Sequence, residues 1–179
     1  MSLSIPPLVQ SSNPILREVM PQFNFEKPEM DPKTLSDTLA EAMTKYGGLG
    51  LSACQIGIRA RAFCLKVEPI ITLFNPIIVD AGEEEQELDE GCLSLPGLML
   101  KIKRPRIIKI RYKLYSGASK TLKLSGLTSS VVQHENDHLD GILFYDHVSK
   151  LKLDAAKKKA AKNGYPNIFT PTPSYKGII

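Results

Sequence analysis

The short segment VVQHENDHLDG contains two of the three histidines in the chain. These residues, His134 and His138, lie four positions apart, and Leu127 and Val131 precede them at helical spacing. Residues at i, i+4, i+7 and i+11 share one face of an α-helix, so the pattern predicts a helix, ending at Gly141, with both histidines on its apolar face. An imidazole that faces the interior needs a polar partner. The segment that packs against this helix must therefore supply polar groups.

Two histidines one helical turn apart can bind a single cation, and a glutamate directly after the first can reach a water on that cation. Glu135 occupies this place and completes the pattern H-E-x-x-H. The alternative is a pair of core histidines with ordinary hydrogen bonds. A catalytic metal needs a third protein ligand, for which the candidates are Cys54, Cys64, Cys92 and His147.

The local sequence separates these candidates only in part. Cys64 lies in an alternating apolar segment, which is typical of a small buried thiol. Cys92 follows a glycine in EGCLS, where no strand or helix pattern includes it, and Cys54 lies in the glycine-rich segment GLGLSACQ. The residues favour Cys92 modestly over Cys54. His147 lies beyond the predicted helix end, and we expect it to be exposed or hydrogen-bonded.

The spacing of apolar residues predicts one helix before this segment of the chain and several strands. A helical stripe that includes Leu35 and Leu39 has Pro32 in its first turn and ends at Gly47. Period-two patterns predict strands over residues 61–67, 70–79 and 108–115, the last of which returns as a hairpin over residues 121–124. Near the end, a lysine-rich helix is expected from residue 150, followed by a poorly ordered Pro/Thr tail.

The composition is that of an ordinary globular domain. The 179 residues are 42% hydrophobic and 23% charged, with a net charge of +4 and three cysteines. No signal peptide or membrane span is evident, and an odd cysteine count suits a reducing compartment, so a cytoplasmic location without membrane contact is predicted. The alternating lysines and arginines of the hairpin are interpreted as a solvated face, with no sequence-specific nucleic-acid partner.

Three segments together resemble the sequence motifs of peptide deformylases, in the family's order. They are GLGLSACQ at residues 48–55, EGCLS at residues 90–94 and QHENDH at residues 133–138. Further similarity extends the resemblance over residues 7–149. It implies an α+β fold of antiparallel β-sheets packed around a central helix that carries the HExxH metal motif, with an N-terminal helix. A catalytic domain over residues 1–149 would then precede a C-terminal helix and tail over residues 150–179.

The resemblance also implies a role for each site residue. Metal ligation is assigned to Cys92, His134 and His138. Glu135 is implied as the acid/base, with the Gln55 amide and the Leu93 backbone N–H as donors to the reacting oxygen. The residues implied to bind substrate are Leu49, Gly50, Leu127 and Val131. Glu90 and Arg104 are implied as an ion pair that braces the cysteine loop.

The activity implied by the resemblance is hydrolytic removal of the formyl group from the N-terminal formyl-methionine of nascent proteins, with release of formate. One divalent metal ion is expected, Fe(II) in the cell and Zn, Ni or Co as possible occupants of purified protein. The implied partners are N-formyl-Met nascent peptides and, through the basic C-terminal segment, the ribosome.

The sequence departs from the family pattern at three places. Cys54 stands where proline is common, and a second thiol there could compete as a ligand. Met99 replaces an arginine that many bacterial members use to hold the peptide. Ser130 is polar at a position expected to line the methionine pocket. We therefore expect differences in substrate preference.

Two other functions compete with deformylation. An ordinary HExxH metallopeptidase would need a carboxylate or a histidine as third ligand, for instance Glu83, Glu84 or Glu87. A non-catalytic, ribosome-associated metal-binding protein would need a structural site closed by four protein ligands.

Overall fold

The computed structural model describes residues 5–165, and their secondary structure is mixed. The three α-helices of this part are α1 (Pro32–Tyr46), α2 (Gly126–Leu139) and α3 (Lys150–Lys162). The seven strands are β1 (Gly50–Ser52), β2 (Ala62–Leu65), β3 (Ile71–Ala81), β4 (Glu85–Cys92), β5 (Leu95–Pro105), β6 (Ile107–Lys113) and β7 (Ser119–Ser125). The predicted α+β class with antiparallel sheets is confirmed. The Pro/Thr tail predicted from the sequence lies largely outside the described residues.

The strands form two antiparallel sheets. The larger sheet has the order β1-β2-β3-β6-β7, and the smaller one is the β4-β5 hairpin. The strands predicted from period-two patterns correspond to β2, β3, β6 and β7, which confirms those predictions. The β4-β5 hairpin was not predicted from the sequence.

The first helix forms as the sequence predicts. The Asp31 carboxylate caps its N-terminus by accepting the Thr34 backbone N–H at 2.8 Å, and Pro32 occupies the first turn. Gly47 ends the helix with φ +75°, a conformation that glycine adopts without steric cost. The buried stripe of α1 is formed by Leu35, Thr38, Leu39, Ala42 and Met43.

The larger sheet lies between α1 and α2, which explains why β2 is apolar on both faces. In β2, Ala62 and Cys64 belong to the hydrophobic cluster around α1, whereas Phe63 and Leu65 belong to the cluster that contains Val131 of α2. Successive side chains of a strand point to opposite faces, so one short strand contributes to both clusters.

The C-terminal helix α3 packs on the smaller sheet. Ala160 is 2% exposed and lies in the same cluster as Leu98 and Leu100 of β5. The predicted lysine-rich helix is therefore confirmed, with its alanine side turned toward the protein. None of the helices within residues 5–165 combines the length and apolar character needed to cross a bilayer.

The turn after α2 depends on a glycine, and this gives a stability prediction. Gly141 has φ +72°, and a Cβ atom there would lie 2.6 Å from the Arg17 carbonyl oxygen. Gly117 has φ +82°, but a Cβ atom there would meet only the Phe25 side chain at 3.8 Å. We expect Gly117→Ala to cost about 1–2 kcal/mol from backbone strain alone. Gly141→Ala should cost clearly more, because a backbone atom must also move. Urea unfolding of both variants measures the difference, and equal losses would contradict this account.

Candidate metal centre

The second helix carries the two histidines and the glutamate of the HExxH motif into the protein. His134 is 2% exposed, and Glu135 and His138 are each 1% exposed. Val131 precedes them on the buried face, whereas Leu127 at the start of the helix is half-exposed. The prediction that both histidines point inward is confirmed. Two buried imidazoles on one helix face need polar partners, and residues of the β4-β5 hairpin supply them.

The hairpin brings Cys92 to the histidines. Cys92 is the last residue of β4 and pairs with Leu95 after a register shift next to Glu90. Cys92 thus lies in a strand although no strand pattern in the sequence includes it, because β4 continues through Gly91 to the turn at Leu93. The irregular pairing at the strand end directs the thiol toward α2.

The three side chains converge tightly. The candidate ligand atoms of Cys92, His134 and His138 all lie within 4.8 Å of one another, and the Cys92 Sγ is 3.3 Å from the His138 Nε2. Sulfur and nitrogen ligands bound to one tetrahedral cation are separated by about 3.6 Å, given bonds of about 2.3 and 2.1 Å. The thiol and imidazoles therefore fit a borderline-soft divalent ion. Among the described residues no fourth metal-binding side chain joins the group.

A buried ion pair fixes the first histidine. The Glu90 carboxylate lies 3.0 Å from the His134 Nδ1 and accepts two hydrogen bonds from Arg104, at 2.6 and 3.0 Å. Arg104 also contacts the Asp137 carboxylate at 2.9 Å, and Asp137 lies 2.7 Å from His147. With its Nδ1 engaged, the His134 ring presents Nε2 toward the cluster.

The charges of this group are set by burial and by the ion pair. Burial alone would raise the pKa of Glu90, but hydrogen bonds from His134 and Arg104 lower it to about 2. Burial lowers the pKa of His134, yet hydrogen bonds with Cys92 and Glu90 raise it overall to about 10. Burial, with the nearby His134, lowers the pKa of His138 well below its usual range. Binding of a cation by this cluster would require a neutral His134 ring, because a ligating imidazole nitrogen carries no proton.

Glu135 is held between two residues of β1. Its Oε2 accepts a hydrogen bond from the Ser52 hydroxyl at 2.6 Å. A Cβ atom on Gly50 would lie 2.6 Å from its Oε1, so only glycine leaves the carboxylate room. Burial raises the pKa of Glu135 to about 7, against the opposing effects of His134 and Ser52. A carboxyl group with such a pKa can both accept and donate a proton near neutral pH.

Gln55 lies beside the cysteine. Its Oε1 accepts the Ser52 backbone N–H at 2.9 Å, and its Nε2 lies 3.4 Å from both the Cys92 Sγ and the Ser94 Oγ. The amide nitrogen therefore points toward the metal-binding group. Leu93 follows Cys92 in the hairpin turn and is 4% exposed. These two residues lie where a polar substrate atom next to a metal could be bound.

A mainly apolar pocket lies at the start of α2, and Val131 of its lining precedes His134 by three residues on the helix. Its lining includes Leu49, Leu127 and Val131, together with Leu65. Ser130, expected from the resemblance to line the pocket, lies outside it: its hydroxyl accepts a hydrogen bond from the Gln86 Nε2 at 2.9 Å. The presence of a polar residue at position 130 is thus explained by its hydrogen bond with Gln86, which links α2 to β4. Met99 is 39% exposed on β5.

The other candidate ligands lie outside the group. The buried Cys54 Sγ is 3.6 Å from the His138 carbonyl oxygen, and burial raises the pKa of this thiol, which keeps it protonated. Cys64 contacts the Leu39 carbonyl oxygen and is buried, as predicted. His147 is hydrogen-bonded and partly exposed, also as predicted. The acidic residues offered as alternative ligands, Glu83, Glu84 and Glu87, are exposed.

Two contributors to the site were not predicted from the sequence. Ser52 was quoted only as part of a motif, although a serine before Gln55 at capping spacing is a recognisable pattern. Asp137 lies between the two metal-binding candidates on α2, and its contact with Arg104 depends on the hairpin, so no local pattern indicates it.

Comparison with known proteins supports the resemblance. The family model described as polypeptide deformylase matches residues 5–154. The peptide deformylase of Rhizobium meliloti (strain 1021) is 35% identical over 175 residues, covering 89% of this chain and 99% of its own. That of Wolbachia pipientis from Culex pipiens (strain wPip) is 40% identical over 144 residues, covering 73% and 80%.

Solved structures agree with this similarity. A peptide deformylase crystal structure from Legionella pneumophila superposes with a TM-score of 0.81 at 28% identity, covering 94% of this chain and 100% of the other. The peptide deformylase from Ehrlichia chaffeensis gives a TM-score of 0.79 at 32% identity, covering 92% and 99%.

The buried ion pair gives a second prediction. Arg104→Met leaves the Glu90 carboxylate buried without its cation, so we expect a loss of about 3–5 kcal/mol in unfolding free energy. Metal affinity should fall about 10- to 100-fold, because His134 loses its fixed orientation. Urea unfolding and metal titration measure the two effects.

Lys101→Met is the matched control on the same strand. Lys101 and Asp89 form an exposed pair at 3.7 Å, with both side chains 63% exposed. Such a pair contributes under about 1 kcal/mol. Similar losses of stability and metal affinity in the two variants would refute the role given to Arg104.

Proposed function

The chain belongs to the peptide deformylase family, and from this premise we propose how its own residues perform the family's reaction. The protein is a hydrolase that removes the N-formyl group from the N-terminal formyl-methionine of nascent proteins and releases formate.

We assign metal binding to Cys92, His134 and His138. The observation that carries this assignment is the convergence of one thiol and two imidazoles within 4.8 Å, without a fourth side chain in the group among the described residues. Three protein ligands and an open position are typical of a catalytic site, whereas a structural site is closed by four. This arrangement supports hydrolysis over a purely structural metal.

The ion itself supplies Lewis acidity and makes water a nucleophile at neutral pH when it is bound. Thiolate and imidazole ligands accept Fe(II), Co, Ni or Zn. We propose Fe(II) in the cell, with the other ions as occupants of purified protein.

Glu135 moves the proton in the proposed mechanism. Its carboxylate is buried beside the metal-binding group, and its pKa of about 7 makes both protonation states accessible near neutral pH. It accepts the proton of the attacking water and then donates it to the departing amine nitrogen. The product is a free N-terminal methionine.

Gln55 and Leu93 are proposed to stabilise the negative charge that develops on the formyl oxygen. The Gln55 Nε2 is fixed next to Cys92, because its carbonyl oxygen is already engaged by Ser52. The Leu93 backbone N–H follows directly on Cys92 in the chain. Fixed donors in a buried site stabilise an oxyanion more than mobile water does.

The methionine side chain is proposed to enter the apolar pocket. Leu49, Leu127 and Val131 line this pocket, and an unbranched thioether suits an apolar lining. Gly50 adjoins the Glu135 carboxylate, and its backbone is proposed to hold the formyl group or the peptide backbone of the substrate. Glu90 and Arg104 act through His134, as described above.

The remaining proposals concern where the enzyme acts in the cell and what it binds there. We propose that the lysines of α3 help the enzyme dock on ribosomal RNA, because phosphate groups attract a basic helix. A cytoplasmic location follows from substrates that emerge at the ribosome. The division between residues 149 and 150 stays a prediction, and Ala160 of α3 is buried against the catalytic part.

Changing Glu135→Gln tests the mechanism. The amide keeps the side-chain shape but cannot accept a proton, so formate release from a formyl-Met tripeptide should fall by about 10²- to 10⁴-fold. The metal content should remain at the wild-type level, since Glu135 is outside the ligand group. Formate is measured enzymatically on anaerobically prepared protein.

Glu87→Gln serves as the control, because Glu87 is an exposed acidic residue on β4. Its turnover should match that of the wild type. Near-normal turnover in Glu135→Gln with full metal content would remove the acid/base assignment.

A further inference from the structure

Ser52 occupies an unusual place for a hydroxyl group. It is the last residue of β1, is 0% exposed, and lies between α1 and α2. Its Oγ lies 2.6 Å from the Glu135 Oε2 and 3.0 Å from the Glu135 carbonyl oxygen. A serine hydroxyl has one hydrogen, and the shorter contact to the carboxylate is the charge-assisted one.

Within residues 5–165, this hydroxyl is the one hydrogen-bond donor to the Glu135 carboxylate. The other oxygen, Oε1, lies against Gly50, where even a methyl group would not fit. Gly50 and Ser52 are two positions apart on a strand and therefore face the same side. One strand thus holds the carboxylate by a hydrogen bond on one oxygen and by close packing on the other.

The same residue also orients Gln55. The Ser52 backbone N–H donates to the Gln55 Oε1 at 2.9 Å. This contact decides which end of the amide faces the cysteine, because the Nε2 must then point toward Cys92 and Ser94. The side chain and the backbone of Ser52 therefore act on two different residues of the proposed mechanism.

We propose that Ser52 is a positioning residue for deformylation, whose hydroxyl holds the Glu135 carboxylate in its reactive orientation. The proposal rests on the assignment of Glu135 as the acid/base. Without the hydroxyl, the carboxylate loses its one donor in a buried site and can rotate away from the metal-binding group. The backbone contact to Gln55 is independent of the side chain, so a substitution at Ser52 isolates the effect on Glu135.

The experiment compares kcat and KM for formate release by metal-loaded protein. The variants are Ser52→Ala, Glu135→Gln, the double variant, and Ser129→Ala as a control. Ser129 is also 0% exposed, lies on α2, and donates to the Pro105 carbonyl oxygen, so its removal tests the loss of a buried hydroxyl as such. Metal content and urea unfolding are measured on the same samples.

A hydrogen bond to a charged group predicts a fall in kcat of about 10- to 100-fold for Ser52→Ala. KM and metal content should stay at wild-type values, because the substrate pocket and the ligands are unchanged. In the Glu135→Gln background the same substitution should leave the residual rate unchanged, since no acid/base remains to be positioned. Ser129→Ala should keep the wild-type kcat.

Two results would overturn the proposal: a wild-type kcat in Ser52→Ala, or equal falls in kcat with and without the Glu135 carboxylate. A normal rate in Glu135→Gln alone would instead defeat the acid/base assignment, so the two failures are distinguishable.

A second variant keeps the test valid if Ser52→Ala fails to fold. Ser52→Cys keeps the side-chain shape, with a somewhat larger sulfur atom in place of oxygen, but offers a weaker donor. A reduced kcat at unchanged KM in Ser52→Cys supports the proposal, and a wild-type kcat contradicts it.

Discussion

The Glu90 carboxylate is fully buried and is compensated by Arg104 on the neighbouring strand and by His134 on α2. A charge in the interior is costly unless it is paired and hydrogen-bonded, so β4, β5 and α2 must meet in one arrangement. Cys92 follows Glu90 by two residues, and the same arrangement therefore brings its thiol to the histidines. The metal-binding group depends on this ion pair more than on any local feature of the three ligands.

The opposite side of the group depends on β1. This strand has three residues, and all are buried. Leu51 packs in the cluster around α1, while Gly50 and Ser52 face Glu135. The short strand β1, which lies between two helices, therefore contacts both the hydrophobic cluster around α1 and the Glu135 carboxylate. The position of Glu135 is consequently linked to the packing of α1.

The sequence predicted the helices well because their boundaries are local. Asp31, Pro32 and Gly47 define α1, and the spacing of Val131, His134 and His138 defines the buried face of α2. The β4-β5 hairpin was missed for a physical reason. On β4 the partly buried Gln86 and the fully buried Glu90 interrupt the apolar alternation, because their partners are Ser130 and Arg104 rather than apolar side chains. Those partners are distant in sequence and become visible only in the fold.

The third metal ligand likewise could not be identified from the local sequence. The local sequence left both Cys54 and Cys92 as candidates for the third ligand, and only the family resemblance decided between them. The fold separates the two thiols, since Cys92 lies 3.3 Å from the His138 Nε2 while Cys54 faces a backbone carbonyl. Packing of the hairpin, rather than any property of the two local segments, makes this difference.

The central claim is that one thiolate and two imidazoles bind a single catalytic ion. X-ray absorption spectroscopy of the protein loaded with one equivalent of Zn²⁺ tests it most directly. The account predicts one sulfur at about 2.3 Å, two imidazole nitrogens at about 2.0–2.1 Å and one further light atom. A first shell with two sulfurs, or with none, would contradict it.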